Sequence, residues 1–384
     1  MEKSKDMNII VLGAGLVGVP IALDLASDPD LNVTVADINE KNLKKVSKSG
    51  RVRTLQADLA QKEKLIGILR DFDLAVNATP GHMGYYVLNC MIEAGISGVD
   101  ISFMPEKFWE LNEEARKAGV TVIADMGVAP GLSNLMTGYM VERLDKTESV
   151  KIMVGGLPVE RIRPFEYKAG FSPADVIEEY TRPAVLVENG KRVVKPALSA
   201  PEEVDFHGIG TLEAFNSDGL RSLIHSIDAN NMVEKTLRYP GHRELMEVFR
   251  YAGFFSTEEL DLGSGKVRPI DVTTHLLSSR WRLAEGEHDL TVMRIEIQGV
   301  KEGKKAIWNF DLHDVYDPAT GIHSMGRTTG YSATMALRLI LHKNYGVKGI
   351  VLPENIGKEE EYTQFILDGL KERGVRTVQS LDLE

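Results

Sequence analysis

Residues 7–18 read MNIIVLGAGLVG, and this stretch decides the fold of the first part of the chain. The apolar run 7–12 predicts a buried strand, the glycines predict a tight turn, and the residues that follow predict a helix. In such a turn Gly13 permits the sharp exit from the strand, Gly15 lets a ligand approach the backbone, and Gly18 allows close helix packing. The spacing is therefore typical of a loop that holds the phosphates of a dinucleotide at a helix start.

An acidic residue follows at the distance that this kind of site requires. A second predicted strand, residues 33–36, ends in Asp37, nineteen residues after Gly18. A carboxylate there accepts hydrogen bonds from the adenosine ribose and repels a 2′-phosphate, which favours NAD over NADP. Three nearby lysines (Lys41, Lys44 and Lys45) keep NADP open as the alternative. The predicted cofactor contacts here are Gly13, Gly15, Leu16, Val17, Gly18, Asp37 and Ile38.

The alternation of strands and helices continues to about residue 124 and predicts an α/β fold with a doubly wound parallel sheet of the Rossmann type. Ligands bind beyond the carboxyl ends of such strands, where Asp58 and the segment Asn77, Ala78, Thr79 and Pro80 are expected. Asp58 is a candidate for contact with adenine, and residues 77–80 are candidates for contact near nicotinamide. For both, ordinary turn chemistry is an equal alternative.

The pattern changes after Asp125, which predicts a second α+β domain. Residues 1–130 are assigned to the Rossmann domain, and 131–328 to a substrate-binding and dimerisation domain with a mixed or antiparallel sheet. Its period-two segments include a predicted hairpin around Asn189 and Gly190. Residues 329–384 are expected to return to the first domain, and one face of the second sheet is expected to form a homodimer interface.

Composition excludes several classes of protein. The chain has 384 residues, a net charge of −11, 43% hydrophobic and 26% charged residues, with no basic stripe for nucleic acid. No uncharged apolar run is long enough for a membrane span. Cys90 is the only cysteine, which excludes an internal disulfide and fits a reducing cytoplasm, and the scattered histidines give no support for a metal site.

Several motifs together resemble the saccharopine dehydrogenase family over nearly the whole chain. They are GAGLVG (13–18), VNATPG (76–81), ADMGVAPGLSN (124–134), VGGLP (154–158), EYKAGFSP (166–173), TLRYPGH (236–242) and RTTGYSATMA (327–336). Glutamate-forming saccharopine reductases of the family carry an aspartate at the position of Ala129 and an aromatic residue at the position of His242. Both departures favour the lysine 6-dehydrogenase branch, which implies NAD-dependent oxidation of the ε-amine of lysine with release of ammonia. Saccharopine reductase is the second interpretation, and a carboxynorspermidine synthase-like imine reductase is the third.

This chemistry requires a general base, because hydride leaves a carbon that bears a neutral amine. His242 is the first candidate, since an unperturbed imidazole titrates near pH 6.5. Lys168, beside Tyr167, is the second if burial or a cationic neighbour lowers its pKa. The alternatives are a histidine in a surface turn and a solvated or carboxylate-binding lysine.

A lysine-like substrate also carries a carboxylate, which a planar guanidinium holds best. The resemblance implies that residues 236–238 contact the amino-acid end, so Arg238 and Thr236 are candidates, with Arg221 as a second cation. Asp100 and Asp125 follow predicted strands and are candidates for holding an ammonium group or a water molecule. Salt-bridge or capping roles are the alternatives.

The main rival interpretation is a sensor protein that binds NAD without turnover, which fold alone does not exclude. A sensor has no need for a catalytic cluster. Convergence of Arg238, Lys168 and His242 would therefore favour an enzyme.

Overall fold

The computed structural model describes residues 7–343 and 345–384, and the chain divides into two compact units. Unit 1 contains the residues up to Glu142 together with Gly326–Val375, and unit 2 contains Arg143–Met325 together with Arg376–Glu384.

The strands and helices are as follows in chain order. The strands are β1 (Met7–Leu12), β2 (Leu31–Asp37), β3 (Arg53–Gln56), β4 (Leu74–Asn77), β5 (Ser97–Asp100), β6 (Thr121–Ile123), β7 (Lys146–Pro158), β8 (Ala184–Glu188), β9 (Lys191–Lys195), β10 (Glu202–Phe206), β11 (Gly210–Asn216), β12 (Asn231–Arg238), β13 (Leu260–Asp261), β14 (Lys266–Val267), β15 (Asp289–Lys301), β16 (Lys304–Val315), β17 (Gly349–Val351) and β18 (Thr377–Leu383). The helices are α1 (Gly18–Leu25), α2 (Glu40–Ser47), α3 (Lys62–Leu69), α4 (Gly81–Ala94), α5 (Asn112–Lys117), α6 (Leu132–Val141), α7 (Pro173–Thr181), α8 (Leu223–Ser226), α9 (His242–Tyr251), α10 (Pro269–Trp281), α11 (Ser324–His342), α12 (Pro353–Gly357) and α13 (Glu360–Glu372), with a 3₁₀ turn at Phe108–Leu111.

Unit 1 is built on a seven-stranded sheet in the order β17-β6-β5-β4-β1-β2-β3, and every neighbouring pair is parallel. The predicted Rossmann-type fold is confirmed. Chain order reverses between β1 and β4, so the carboxyl ends of these two strands flank the position where ligands bind in sheets of this kind.

The core explains why β1 reads as a continuous apolar run. Ile9, Ile10, Val11 and Leu12 are all fully buried, because helices cover both faces of a parallel sheet and leave no polar face. Helices from the two ends of unit 1 are also joined: the Asp24 carboxylate accepts hydrogen bonds from Arg338 Nη1 (2.6 Å) and Arg373 Nε (2.6 Å). These contacts fix α11 and α13 against α1.

Unit 2 contains a mixed sheet, as predicted, and this sheet has nine strands. Its main order is β10-β11-β12-β7-β15-β16-β18, with β8 and β9 attached beside β12, and only β12 and β7 pair in parallel. The hairpin predicted around Asn189 and Gly190 joins β8 to β9, and both residues have positive φ (51° and 72°), as a type I′ turn requires.

The unit boundaries differ from the expected ones at both ends. Helix α6 belongs to unit 1, because glycines let it approach α12 closely: a Cβ on Gly138 would overlap the backbone of Glu354, and one on Gly357 would overlap the backbone of Leu135. The expectation that all of residues 329–384 return to the first domain is wrong for the last strand. Residues 377–383 form β18, a largely exposed edge strand that pairs with β16 in unit 2.

Among residues 7–343 and 345–384, every helix falls short of the length and apolarity needed to cross a lipid bilayer.

Candidate functional site

Two glycines of the loop at residues 13–18 in unit 1 are required by packing within the protein itself. Gly13 has φ +105°, and a Cβ there would lie 2.5 Å from the carbonyl oxygen of Ala78. A Cβ on Gly18 would overlap the carbonyl oxygen of Gly13. Gly15 differs, because its Cβ would have no atom within 4 Å. Packing therefore does not account for a glycine at position 15, whereas close approach of a ligand to the backbone does.

Asp37 lies at the end of β2 and binds the glycine loop directly. Its Oδ2 accepts a hydrogen bond from the backbone N–H of Ala14 (2.6 Å), and its Oδ1 accepts one from Asn39 N–H (2.7 Å). Each carboxylate oxygen retains a second lone pair for a ribose hydroxyl. The apolar side chains of Leu16 and Ile38 are exposed on either side, and Val17 is half-buried.

The segment after β4 forms a turn that closes against the glycine loop. Asn77 Oδ1 accepts hydrogen bonds from the backbone N–H (3.2 Å) and the hydroxyl (2.7 Å) of Thr79, and Ala78 N–H donates to Leu12 O (2.9 Å). Pro80 then caps α4. The predicted cofactor segment is thus held by hydrogen bonds and packs against Gly13.

Asp58 is occupied in its own turn. Its carboxylate accepts hydrogen bonds from Ala60 N–H (3.0 Å) and Gln61 Nε2 (3.0 Å), which lower its pKa. The turn alternative accounts for Asp58 by these contacts. Of the nearby lysines, Lys44 forms an ion pair with Glu40 within α2 (2.8 Å).

Two buried acids, Asp100 and Asp125, lie at the carboxyl ends of β5 and β6. The Asp100 carboxyl contacts Asn77 Nδ2 (2.5 Å) and the Ser102 hydroxyl (2.9 and 3.0 Å). Burial, reinforced by the charge of Asp125, raises the pKa of Asp100 to about 8. The structure therefore places a carboxyl that exchanges its proton near neutral pH beside the turn that follows β4.

We expect Asp100→Asn to remove a pH dependence of stability. The pKa of Asp100 is raised in the folded protein, so its contribution is full below pH 4 and is lost as the pH rises to about 8. From pH 5.5 to pH 9 the unfolding free energy of the unsubstituted protein should therefore fall by about 3 kcal/mol relative to that of the variant. Urea unfolding at both pH values measures this difference.

Asp58→Asn is the matched control for this experiment, because a lowered pKa affects stability only in acid. An equal pH slope in the unsubstituted protein and in Asp100→Asn would contradict the raised pKa.

In unit 2, Arg238 and His242 are joined through Tyr180. Arg238 Nε–H donates to Tyr180 Oη (3.1 Å), and Tyr180 Oη lies 3.0 Å from His242 Nε2. His242 Nδ1 lies 2.8 Å from the carbonyl oxygen of Phe165. A carbonyl only accepts, so Nδ1 carries the proton and Nε2 accepts from the tyrosine hydroxyl. The result is a continuous chain of hydrogen bonds in a buried environment.

This arrangement does not favour the general-base role predicted for His242. Both ring nitrogens are hydrogen-bonded, and the ring is 2% exposed. Burial, together with the charge of Arg238, lowers the pKa of His242 to about 3. The imidazole is therefore neutral and internally satisfied, whereas a base working near pH 7 to 9 needs a pKa in that range.

Lys168 points away from this cluster. Its Nζ forms an ion pair with Glu287 (2.8 Å) and donates to Arg282 O (3.2 Å). Of the three residues expected to converge, Arg238 and His242 come together and Lys168 does not. Tyr167 does belong to the cluster, because its ring centroid lies 4.5 Å from Arg238 Cζ and 4.9 Å from the His242 ring.

Thr236 belongs to a second buried polar group. Its hydroxyl contacts Ser217 Oγ (2.7 Å), and Ser217 Oγ donates to Glu234 Oε2 (2.7 Å). Burial raises the pKa of Glu234 to about 8. Arg221 is 8% exposed and has φ 53°, a backbone conformation that side-chain-bearing residues rarely adopt and that often occurs at functional positions.

Sequence reasoning missed Glu179, Tyr180 and Glu234. Glu179 and Tyr180 lie on α7, and Glu234 lies on β12 four residues before Arg238. The period-two pattern of β12 puts Glu234, Thr236 and Arg238 on one face of the sheet, and this pattern was the available signal. Nothing local marks the two residues of α7.

Within residues 7–343 and 345–384, no group of three or more His, Cys, Asp or Glu side chains is arranged to hold a metal ion.

The two parts of the chain match two domains of one family. Residues 9–123 match the saccharopine dehydrogenase NADP binding domain, and residues 127–375 match the saccharopine dehydrogenase C-terminal domain. The chain belongs to the saccharopine dehydrogenase family. Its parallel-sheet unit is thus the NAD(P)-binding domain of a family of oxidoreductases, as the sequence motifs predicted.

Relatives in this family differ in length. The mitochondrial alpha-aminoadipic semialdehyde synthase of Bos taurus is 23% identical over 97% of this chain but only 48% of its own length. The chain therefore spans about half the length of that relative. The carboxynorspermidine synthase of Vibrio alginolyticus is 26% identical over 91% of this chain and 92% of its own.

A solved structure shares the fold. The apo saccharopine dehydrogenase (L-Glu forming) of Saccharomyces cerevisiae superposes with a TM-score of 0.80 and 20% identity, covering 98% of this chain and 100% of the yeast chain. At this identity the likeness supports the fold alone.

Proposed function

We propose that the chain is an NAD-dependent dehydrogenase that oxidises the ε-amine of L-lysine. The observation that carries the cofactor part is the glycine loop: Gly15 opens onto free space, while Asp37 Oδ2 accepts a hydrogen bond from the loop at Ala14 N–H. These residues fit a dinucleotide, with the pyrophosphate at the start of α1 and a ribose at Asp37. Glutamate-forming saccharopine reductases carry an aspartate at the position of Ala129 and an aromatic residue at the position of His242. These two differences support lysine as the substrate.

In this proposal the carbon bearing the neutral amine loses a hydride, and loss of a proton from the nitrogen then leaves an imine. Water hydrolyses the imine to ammonia and 2-aminoadipate 6-semialdehyde, which cyclises to a piperideine carboxylate. When bound, NAD supplies the hydride acceptor. The ε-ammonium must first release a proton, and the pKa of Asp100, raised to about 8, lies in the range that this exchange needs, whereas the lowered pKa of His242 does not.

The substrate carboxylate requires a cation. Arg221, the second predicted cation, is the guanidinium that we propose for this carboxylate. Asp125 lies near Asp100 and adds negative charge where an ammonium group is to be held.

The test is product analysis with L-lysine and NAD. Formation of NADH with one equivalent of ammonia supports the proposal. NADH formation from saccharopine with release of glutamate would replace it with saccharopine dehydrogenase activity. Tight NAD binding without turnover of any amine would favour the sensor.

A carboxynorspermidine synthase-like activity is the second candidate. The observation that favours it is length, because the Vibrio relative and this chain cover each other almost completely. Oxidation of carboxynorspermidine in preference to lysine, at equal substrate concentration, would favour this candidate.

We expect Asp37→Ser to reverse the cofactor preference. The serine lacks the charge that repels a 2′-phosphate and one of the two oxygens that bind Ala14 N–H and Asn39 N–H. Affinity for NAD should fall by about ten- to a hundredfold, since a charge-assisted hydrogen bond contributes about 1.5–3 kcal/mol, and affinity for NADP should rise. Calorimetry with both nucleotides measures the ratio.

Asp58→Ser is the control for Asp37→Ser, because its carboxylate is engaged only within its own turn. An unchanged NAD to NADP ratio in Asp37→Ser would refute the assignment of Asp37.

We also propose that the protein is a homodimer in the cytoplasm that binds a small amino-acid substrate. Light scattering coupled to size-exclusion chromatography tests the dimer directly.

A further inference from the structure

Each nitrogen of the Arg238 guanidinium is hydrogen-bonded to a group of the chain itself. Its Nε donates to Tyr180 Oη (3.1 Å), its Nη1 donates to Leu237 O (2.9 Å), and its Nη2 forms an ion pair with Glu179. The Tyr167 ring lies 4.5 Å from Cζ. Each of the three nitrogens therefore has a partner, and an aromatic face covers the charge.

Glu179 is the more exposed member of the ion pair with Arg238. Its side chain is 19% exposed, whereas that of Arg238 is 3% exposed. Burial raises the pKa of Glu179, and Arg238 opposes this by favouring the ionised form. Helix α7 supplies both Glu179 and Tyr180, so one helical segment fixes two sides of the guanidinium.

We propose that Glu179 is a specificity-determining residue, which occupies Arg238 in place of a substrate carboxylate and so excludes substrates that carry a carboxylate at this end. The inference rests on the proposed function, in which Arg221 binds the carboxylate of lysine, so that Arg238 is left to meet a further carboxylate of a larger substrate. The inference gives a physical reason why the site would accept lysine in preference to saccharopine.

The physical reason is competition for a single cation. A guanidinium binds a carboxylate best through two parallel hydrogen bonds, and Nη2 is already committed to Glu179. A second carboxylate at this place would meet the charge of Glu179 at short range, and like charges in a buried site repel strongly. Lysine carries one carboxylate and saccharopine carries three, so this exclusion favours the smaller substrate.

The experiment compares binding of a dicarboxylate and a monocarboxylate. Calorimetry is carried out with glutarate and with pentanoate on the full chain, with and without NAD, for the unsubstituted protein and for Glu179→Ala. We expect Glu179→Ala to bind glutarate at least about tenfold more tightly than the unsubstituted protein does, the equivalent of about 1.4 kcal/mol. Pentanoate affinity should change much less.

Glu178→Ala is the matched control, since Glu178 lies on the same helix and pairs with Arg182 (3.3 Å). It should leave both affinities unchanged. Glu179→Gln covers the case in which the alanine variant does not fold, because its amide oxygen still accepts a hydrogen bond from Arg238 but carries no charge. A smaller gain in glutarate affinity is expected for it.

Unchanged glutarate affinity in the folded Glu179 variants would overturn the inference, and so would an equal gain in Glu178→Ala. A merely structural role for Glu179 predicts weaker binding and not stronger. Because this measurement needs no turnover, it separates the two proposals: a gain in glutarate affinity without lysine oxidation would reject only the proposed function. Lysine oxidation without that gain would reject only the role of Glu179.

Discussion

Gly15→Ala is expected to weaken NAD binding by about ten- to a hundredfold while the thermal stability of the protein stays unchanged. The added methyl group meets no atom of the protein within 4 Å, and Gly15 does not have positive φ, so the folded chain accommodates alanine without strain. In a dinucleotide complex the same methyl group would point at the pyrophosphate. Calorimetry and thermal unfolding of the same preparation measure the two effects separately.

Two other glycines serve as controls for this prediction. Gly67 lies within α3, and its Cβ would also have open space, so Gly67→Ala should stabilise the helix by about 1 kcal/mol without changing NAD affinity. Gly18→Ala should lower both stability and affinity, because its Cβ would overlap the carbonyl oxygen of Gly13. Unaltered NAD affinity in Gly15→Ala would contradict the phosphate-binding role of the loop.

Arg238→Met should destabilise the protein by about 3–5 kcal/mol. The substitution leaves the Glu179 carboxylate without its cation and removes the donor to Tyr180 Oη in a buried region. The double variant Arg238→Met/Glu179→Leu should recover most of this loss, because replacing a whole buried ion pair with apolar side chains is often nearly neutral. Urea unfolding of the two single variants and the double variant gives the coupling energy.

An exposed ion pair provides the contrast. Lys44 and Glu40 lie 2.8 Å apart with more than half of each side chain exposed, so Lys44→Met should cost at most about 1 kcal/mol. The loss of unfolding free energy in the double variant at positions 238 and 179 is compared with the sum of the losses in the two single variants. If the two were equal, the two side chains would not stabilise each other.

Local sequence pattern was sufficient for the parallel sheet and the glycine loop. The apolar run of β1, the three glycines and Asp37 all lie within about thirty residues, so their spacing reports directly on a single βαβ unit. The hairpin at Asn189 and Gly190 was predictable for the same reason, because a turn with two positive φ angles selects those residue types.

The hydrogen bonding and protonation of His242 beside Arg238 could not be predicted, because they depend on partners that are distant in sequence. His242 bonds to Phe165 O, 77 residues away, and to Tyr180, 62 residues away. Its low pKa follows from burial beside Arg238, which no local pattern reports. Lys168 likewise pairs with Glu287, far along the chain. Strand β18 was missed because an exposed edge strand has no apolar face to mark it.

The position of β17 also bears on how the protein assembles during synthesis. This strand pairs with β6 at the edge of the first sheet, although more than two hundred residues separate them in the chain. When the ribosome has released Glu142, only six of the seven strands of this sheet have been made, and the edge of β6 stays unpaired until nearly all of unit 2 has been translated. During that interval the nascent chain presents an unpaired strand edge, which is the kind of surface that chaperones protect from aggregation.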